Sequence, residues 1–333
     1  MIPPPALSFM IDLKIFSNNQ LSPEVLEILK EGVAPAEIVT PSRPGSSVLA
    51  APEKDPAFVG VDIAFGQPDL ESIYESETLR WVHISSAGFT RYDTAGFRSH
   101  AAGRGLIVTN SSSVYAEACA QHAFAFILAH ARRLPESLGT RIANGVPEWN
   151  ELRGACRLLQ CQTLLILGYG TIAARLVEML KPFNLEVVAM RRNPKGDEGI
   201  RIITPDALPE FLAKADHVVN IMPENAESLG FFDSERFAGM KKGSVFQNIG
   251  RGTTVDQTAL HDALKSGHLD SAWLDVTTPE PLPDDHPLWT LKNCHITPHT
   301  AGGYGNESLA LVRHFLANYQ RFINSEPMLD RVM

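Results

Sequence analysis

Three residues in the last third of this 333-residue chain have the side-chain types that grip anions and move protons. Arg251 stands in NIGRGTTVD, Glu280 in LDVTTPEPLPDDHPLW and His299 in CHITPHTAGG. An Arg holds a carboxylate through its planar fork and polarises a neighbouring carbonyl. A protonated imidazole acts as a general acid, donating to an oxygen on which negative charge is building. A carboxylate beside an imidazole holds the ring and favours its charged form near neutral pH.

Each of the three follows an apolar strand-like run. GSVFQNI precedes Arg251, SAWLDV ends at Asp275 and Val276 shortly before Glu280, and CHITP precedes His299. In open parallel sheets, ligand sites lie past the carboxyl ends of the strands. A fourth run, TLLILG, passes into Gly168-Tyr169-Gly170 and then directly into a helix-like stretch, giving GxGxxA with Ala173 in the third position. The first Gly permits the tight turn. The second lets backbone approach a pyrophosphate, whose charge is favoured by the helix N-terminus. A small third residue lets helix and strand close up.

An Asp or Glu roughly 20 residues further on would hydrogen-bond the ribose of NAD. Here the strand LEVVAM ends instead in Arg191 and Arg192, and no carboxylate occurs from Val187 through Lys195. An acid repels a 2′-phosphate, whereas a guanidinium matches it. NADP(H) is therefore the expected cofactor, with NAD(H) the alternative if these arginines are only solvated surface cations. Hydride transfer to a keto carbon builds negative charge on its oxygen, which is the charge that Arg251 and His299 suit.

Two series of strands alternating with helices must position these residues, which predicts an α/β protein with parallel sheets. The first series reads IDLKIF, SPEVLEILKEG (Ser22 as N-cap, Pro23 first in the helix), AEIVT, FVGVDIAFG, LRWVHISSAG and GLIVTN, with the Pro-rich connection TPSRPGSSV among them. An alanine-rich helix is expected from about Val114 to Arg133. The second series comprises TLLILG, LEVVAM, HVVNIM, GSVFQNI, SAWLDV and CHITP, and the chain closes with the helical ESLALVRHFLANYQRFI.

Composition narrows the class. The chain is 44% hydrophobic and 20% charged, and its length allows two domains with a core each. No apolar run reaches the ~18 residues of a membrane span, and MIPPPALSFM lacks the pattern of a signal peptide. The net charge of −9 argues against nucleic acid or an anionic membrane as partner. The four cysteines form no CxxC pair and no His cluster joins them, so reduced buried thiols of a cytoplasmic protein are expected, and no metal site.

From about residue 79 onward, the stretches SSAGFTRYD, GYGTIA, MPENAES, NIGRGTTVDQTAL, GHLDSAWLDV, EPLPDDHPLW and ITPHTAG occur in order. With them the chain resembles the D-isomer-specific 2-hydroxyacid dehydrogenase family. The resemblance implies two doubly wound parallel-sheet domains, Rossmann-like and flavodoxin-like, with a cleft between them. Residues 1–113 with 298–333 would form a discontinuous substrate domain, and 114–297 the dinucleotide-binding domain.

The resemblance also implies roles. Arg251 is the substrate-binding catalytic Arg, Glu280 the partner of the catalytic His, and His299 the general acid/base. Ala87 and Gly88 receive the substrate carboxylate. Asp275 contacts the nicotinamide carboxamide, and Gly168, Tyr169, Gly170, Thr171 and Ile172 form the phosphate-binding turn. Pro223, Ile249 and Gly302 line the cofactor. A homodimer paired through the cofactor domains is implied as well. The sequence departs from the family in Ala173, and in reading Ala120-Gln121-His122 where an AEH triplet is usual. The expected reaction is reduction of a small 2-keto acid, glyoxylate or hydroxypyruvate first. Phosphoglycerate- or phosphite-type dehydrogenases and a cofactor-sensing, corepressor-like binding protein remain alternatives.

Overall fold

A computed structural model describes residues 13–42, 52–138, 140–141 and 145–333. MIPPPALSFM, Ile11 and Asp12 of the first expected strand, and TPSRPGSSV from Arg43 onward lie outside the described residues. The chain divides into two compact units, Met1–Tyr115 with Tyr304–Met333, and Ala116–Gly303.

The first unit is built on β1 (Lys14–Ser17), β2 (Glu37–Val39), β3 (Ile63–Gly66), β4 (Trp81–Ile84) and β5 (Ile107–Thr109). They pair in parallel in the order β2-β1-β3-β4-β5, the flavodoxin-like winding. Every residue of β3 and β4 is buried, as expected for strands covered on both faces. The helix Pro23–Val33 starts where the Ser22 side chain accepts from the Val25 N–H, with Pro23 in its first turn. The closing helix Glu307–Ile323 joins the same core through Leu311, Val312 and Phe315, with Leu29, Val33 and Trp81. Phe315 stacks on Phe65 at 4.3 Å and on Trp81 at 5.0 Å between ring centroids.

The second unit is built on β6 (Thr163–Leu167), β7 (Glu186–Met190), β8 (Arg201–Ile203), β9 (His217–Asn220), β10 (Val245–Asn248), β11 (Ser271–Leu274) and β12 (Cys294–Ile296). All pairings are parallel, in the order β12-β11-β10-β9-β6-β7-β8. This is the Rossmann order with one strand added: the chain leaves β6 toward β7 and β8, then returns to its other side at β9. A ligand crevice opens at such a switch point, past the carboxyl ends of β6 and β9. β8 was not anticipated from the sequence. It is a three-residue edge strand, RII, that follows the loop NPKGDEG.

The long helix runs from Ser112 to Ala131. Arg132 and Arg133 lie just beyond it, and Arg133 pairs with Asp270 at 2.8 Å. None of the four cysteines forms a disulfide. Burial holds for Cys119 alone, because Cys161 sits exposed in the turn before β6 and the other two are half-buried.

Candidate active site

β10 delivers the first candidate. Past Asn248 the chain runs through buried Ile249 to Arg251, whose backbone is extended and whose side chain is half-buried. The Arg251 carbonyl accepts from Asn248 Nδ2 at 3.0 Å and from Thr254 Oγ1 at 2.6 Å, which fixes the turn. Gly252 permits a close approach: a Cβ there would lie 1.9 Å from the carbonyl oxygen of Thr277. The motif G-R-G thus presses the Arg251 turn against the segment that carries Glu280.

Glu280 Oε1 accepts from the Thr277 N–H at 3.1 Å, and its Oε2 lies 2.9 Å from His299 Nδ1. The two side chains are 28% and 30% exposed. Burial works to raise the Glu280 carboxyl. The hydrogen bond and charge of His299, the Thr277 N–H and the charge of Arg251 outweigh it and hold the group below the usual carboxylate range. The electrostatics of the trio therefore meet at Glu280. With Nδ1 engaged by the carboxylate, Nε2 is the imidazole atom left for a substrate.

His299 has φ +52°, the left-handed region that non-glycine residues seldom occupy. Asp275 holds it there. Its carbonyl accepts from the His299 N–H at 2.9 Å. Its carboxylate accepts at Oδ1 from Thr297 Oγ1 at 2.6 Å and the Thr300 N–H at 2.8 Å, and at Oδ2 from the Ala301 N–H at 2.9 Å. The residue is 2% exposed. Three donors of the segment carrying His299 thus converge on the Asp275 carboxylate, leaving a lone pair at Oδ2 for any ligand contact. His122 reinforces the same point. Its Nε2 lies 3.2 Å from Thr297 Oγ1 and 3.6 Å from Asp275, and burial pushes its pKa down against the pull of that acid. The Ala120-Gln121-His122 triplet of the long helix is the sequence signal for this position.

The glycine turn follows β6. Gly168 has φ +94°, and a Cβ on it would sit 3.1 Å from the Ile221 carbonyl oxygen, so the turn admits no larger residue without strain. A Cβ on Gly170 would meet nothing within 4 Å. Gly170 caps the helix Thr171–Leu180, in which Ala173 is fully buried against the sheet and Ile172 half-buried. Open backbone at a helix N-terminus fits a dinucleotide pyrophosphate. Pro223 is exposed past β9, its carbonyl accepting from Ser228 Oγ at 2.7 Å, and Gly302 is half-buried just after the His299 segment.

Arg191 and Arg192 follow β7, and both carry acid partners. Arg191 Nη1 lies 3.3 Å from Glu198 Oε1, and Arg192 pairs with Glu227. Glu198 stands three residues past Lys195 in the sequence, and the loop folds it back onto Arg191. In the first unit, the Ala87 carbonyl accepts from Asn110 Nδ2 at 2.7 Å and the Gly88 carbonyl from Ser86 Oγ at 2.6 Å.

Residues 124–301, more than half of the chain, match the model of the D-isomer specific 2-hydroxyacid dehydrogenase, NAD binding domain. The chain belongs to the D-isomer-specific 2-hydroxyacid dehydrogenase family. It is thereby an NAD(P)-dependent oxidoreductase. Relatives include the glyoxylate reductase/hydroxypyruvate reductase of Homo sapiens, 36% identical over 59% of this chain and 60% of that one. Another is glyoxylate/hydroxypyruvate reductase B of Citrobacter koseri, 34% identical over 66% of this chain and 68% of that one. The solved D-isomer specific 2-hydroxyacid dehydrogenase of Xanthobacter autotrophicus Py2, in complex with NADPH and MES, is 25% identical. It superposes with a TM-score of 0.76 over 96% of this chain and 98% of that one.

Proposed function

We propose that this dehydrogenase reduces a small 2-keto acid to its D-2-hydroxy acid with NADPH, with glyoxylate and hydroxypyruvate as the first substrates. The observation that carries this reading is the 2.9 Å contact between Glu280 and His299, with the charge of Arg251 acting on the same carboxylate. Reduction of a 2-keto acid is supported by the human and Citrobacter reductases, whose names give that activity. The finer choice of substrate is supported by the loop Ser85–Thr90. It offers hydroxyls and no cation, Arg91 standing just past it, whereas a phosphorylated acid calls for an added basic group.

The residues divide the work. The turn Gly168–Ile172 and Pro223, Ile249, Asp275 and Gly302 would hold the dinucleotide, and a bound nicotinamide supplies the hydride. Arg251 clamps the substrate carboxylate and polarises the keto oxygen. For the backbone of Ala87 and Gly88 we propose a role in binding substrate carboxylate, which would make the first unit the substrate domain. His299, oriented through Nδ1 by Glu280, gives up a proton from Nε2 to the oxygen that becomes the hydroxyl. Arg192 supports the NADP preference: its exposed pair with Glu227 contributes little and re-forms readily with a phosphate. We also propose a homodimer joined through the cofactor domains. Light scattering at micromolar concentration should then give about twice the 36.5 kDa chain mass, and a monomer mass would remove it.

The test is oxidation of NADPH and NADH over a panel of 2-keto acids. Turnover of glyoxylate or hydroxypyruvate with higher kcat/KM for NADPH is expected. Equal or better use of NADH would remove the NADP preference. Turnover with no 2-keto acid would favour a cofactor-sensing binding protein.

A further inference from the structure

After β7 the chain makes a small pocket for negative charge. The backbone N–H of Lys195 and that of Gly196 point to one place, and Arg191 Nη1 reaches it from the strand end. The occupant is the protein's own Glu198. Its Oε1 accepts from the Lys195 N–H at 2.7 Å and lies 3.3 Å from Arg191, and its Oε2 accepts from the Gly196 N–H at 2.8 Å. The side chain is 3% exposed, unusual for a glutamate in a polar surface loop. The Lys195 N–H, with the N–H groups of Glu198 itself and Gly196 and the charge of Arg191 assisting and burial opposing, holds the carboxyl below its usual range. Paired backbone amides beside a guanidinium form a nest that accepts an anion of phosphate type as well as a carboxylate. The loop is also tied to the glycine turn, since the Tyr169 hydroxyl donates to the Glu198 carbonyl at 2.9 Å.

The end of the second strand of a Rossmann unit is where NAD and NADP are told apart at the adenosine ribose. We propose that Glu198 is a specificity-determining residue: its carboxylate fills the nest of Arg191, Lys195 and Gly196, and must leave before a 2′-phosphate can use it. A phosphate arriving beside the seated carboxylate meets like charge. A phosphate replacing it gains the same three donors that the carboxylate gives up. Either way the internal acid restrains the NADP preference and leaves NAD usable, with Arg192 as the readily released cation. This inference rests on the dinucleotide-binding reading above and is separable from the choice of keto acid.

A purely structural role for Glu198 predicts something different. Its loss would then loosen the loop and weaken both dinucleotides alike. The experiment measures Kd for NADPH and for NADH by fluorescence, and displacement by adenosine 2′,5′-bisphosphate. It compares the wild type, Glu198→Gln, Glu198→Ala, and each of the three combined with Arg191→Ala. The ratio Kd(NADH)/Kd(NADPH) should rise by about 10-fold or more in both Glu198 variants, equivalent to ~1.4 kcal/mol, and the bisphosphate should bind more tightly. Arg191→Ala should change the ratio little in the wild type and abolish the gain in the Glu198 variants. An unchanged ratio, or an Arg191→Ala effect equal in all backgrounds, overturns the proposal. Binding of neither dinucleotide by the wild type overturns it together with the proposed function. Binding of both, with the expected shift but no keto-acid turnover, leaves it standing alone.

Discussion

Glu280 Oε2 and His299 Nδ1 lie 2.9 Å apart, although 18 residues and a strand separate them in the chain. The contact exists because the ends of β11 and β12 are neighbours in a parallel sheet, so that the segments leaving them run side by side. Glu280→Gln keeps the shape and replaces the carboxylate that holds His299 Nδ1 with a neutral amide. It should lower kcat by roughly 100-fold with KM for the keto acid little changed. Steady-state kinetics alongside a thermal melt checks this, and an unaltered kcat with an unaltered Tm would contradict the pairing's role.

Asp275 acts one step further back. Its carboxylate accepts three hydrogen bonds from the segment 297–301, and its carbonyl a fourth from His299. Asp275→Ala leaves the Thr297 hydroxyl and the Thr300 and Ala301 N–H groups without partners, at about 1–3 kcal/mol for a buried one, and loosens the segment on both sides of His299, whose own N–H keeps its bond to the carbonyl of residue 275. Both Tm and kcat should fall, and amide exchange at 299–301 should speed up relative to the rest of the unit. Wild-type exchange there would show that another group holds the segment.

The two glycines of the turn should respond differently. Gly168→Ala meets backbone at 3.1 Å in a left-handed conformation and should cost stability, on the order of 1–3 kcal/mol. Gly170→Ala has open space around it, so Tm should hold while dinucleotide affinity drops as the methyl group enters the approach of the pyrophosphate. Denaturant melts and dinucleotide titrations separate the two. A loss of stability from the Gly170 change equal to that from Gly168 would contradict the distinction.

Acid should destabilise the protein through buried imidazoles. Burial, with the neighbouring His314 or His130, pushes His83 and His217 down to about 3 from an ordinary 6.5. Both are therefore neutral in the fold and take up a proton on unfolding once the pH drops below 6.5. Their contribution is complete above pH 6.5 and is lost progressively toward pH 3, at ~1.4 kcal/mol per pH unit for each. Urea melts of wild type and His217→Gln at pH 7.5 and 5.5 test this. The wild type should lose more stability than the variant over that interval, and equal losses would contradict it.

Much of this was legible in the sequence because strands buried on both faces read as continuous apolar runs, and the runs before Gly168, Arg251, Asp275 and His299 are all of that kind. Ser22 with Pro23 marked a helix start by chemistry that needs no tertiary context. What escaped depended on folding back. Glu198 reaches Arg191 only through the loop after β7, and β8 is three residues whose strand character comes from pairing with β7. His299 has positive φ where its N–H meets the carbonyls of Thr297 and of Asp275, 24 residues away, and the residue type at that position does not announce it. His122 gained its meaning from the two residues it faces, Thr297 and Asp275.

The central claim, proton donation by His299 to a keto oxygen held by Arg251, is tested most directly by kcat for glyoxylate or hydroxypyruvate in wild type, His299→Ala and Arg251→Lys, with folding checked by circular dichroism. His299→Ala should lose about 100-fold to 10,000-fold in kcat with the fold intact, and Arg251→Lys should chiefly raise KM, since an ammonium cannot reproduce the guanidinium fork. A folded His299→Ala enzyme turning over at the wild-type rate would contradict the account.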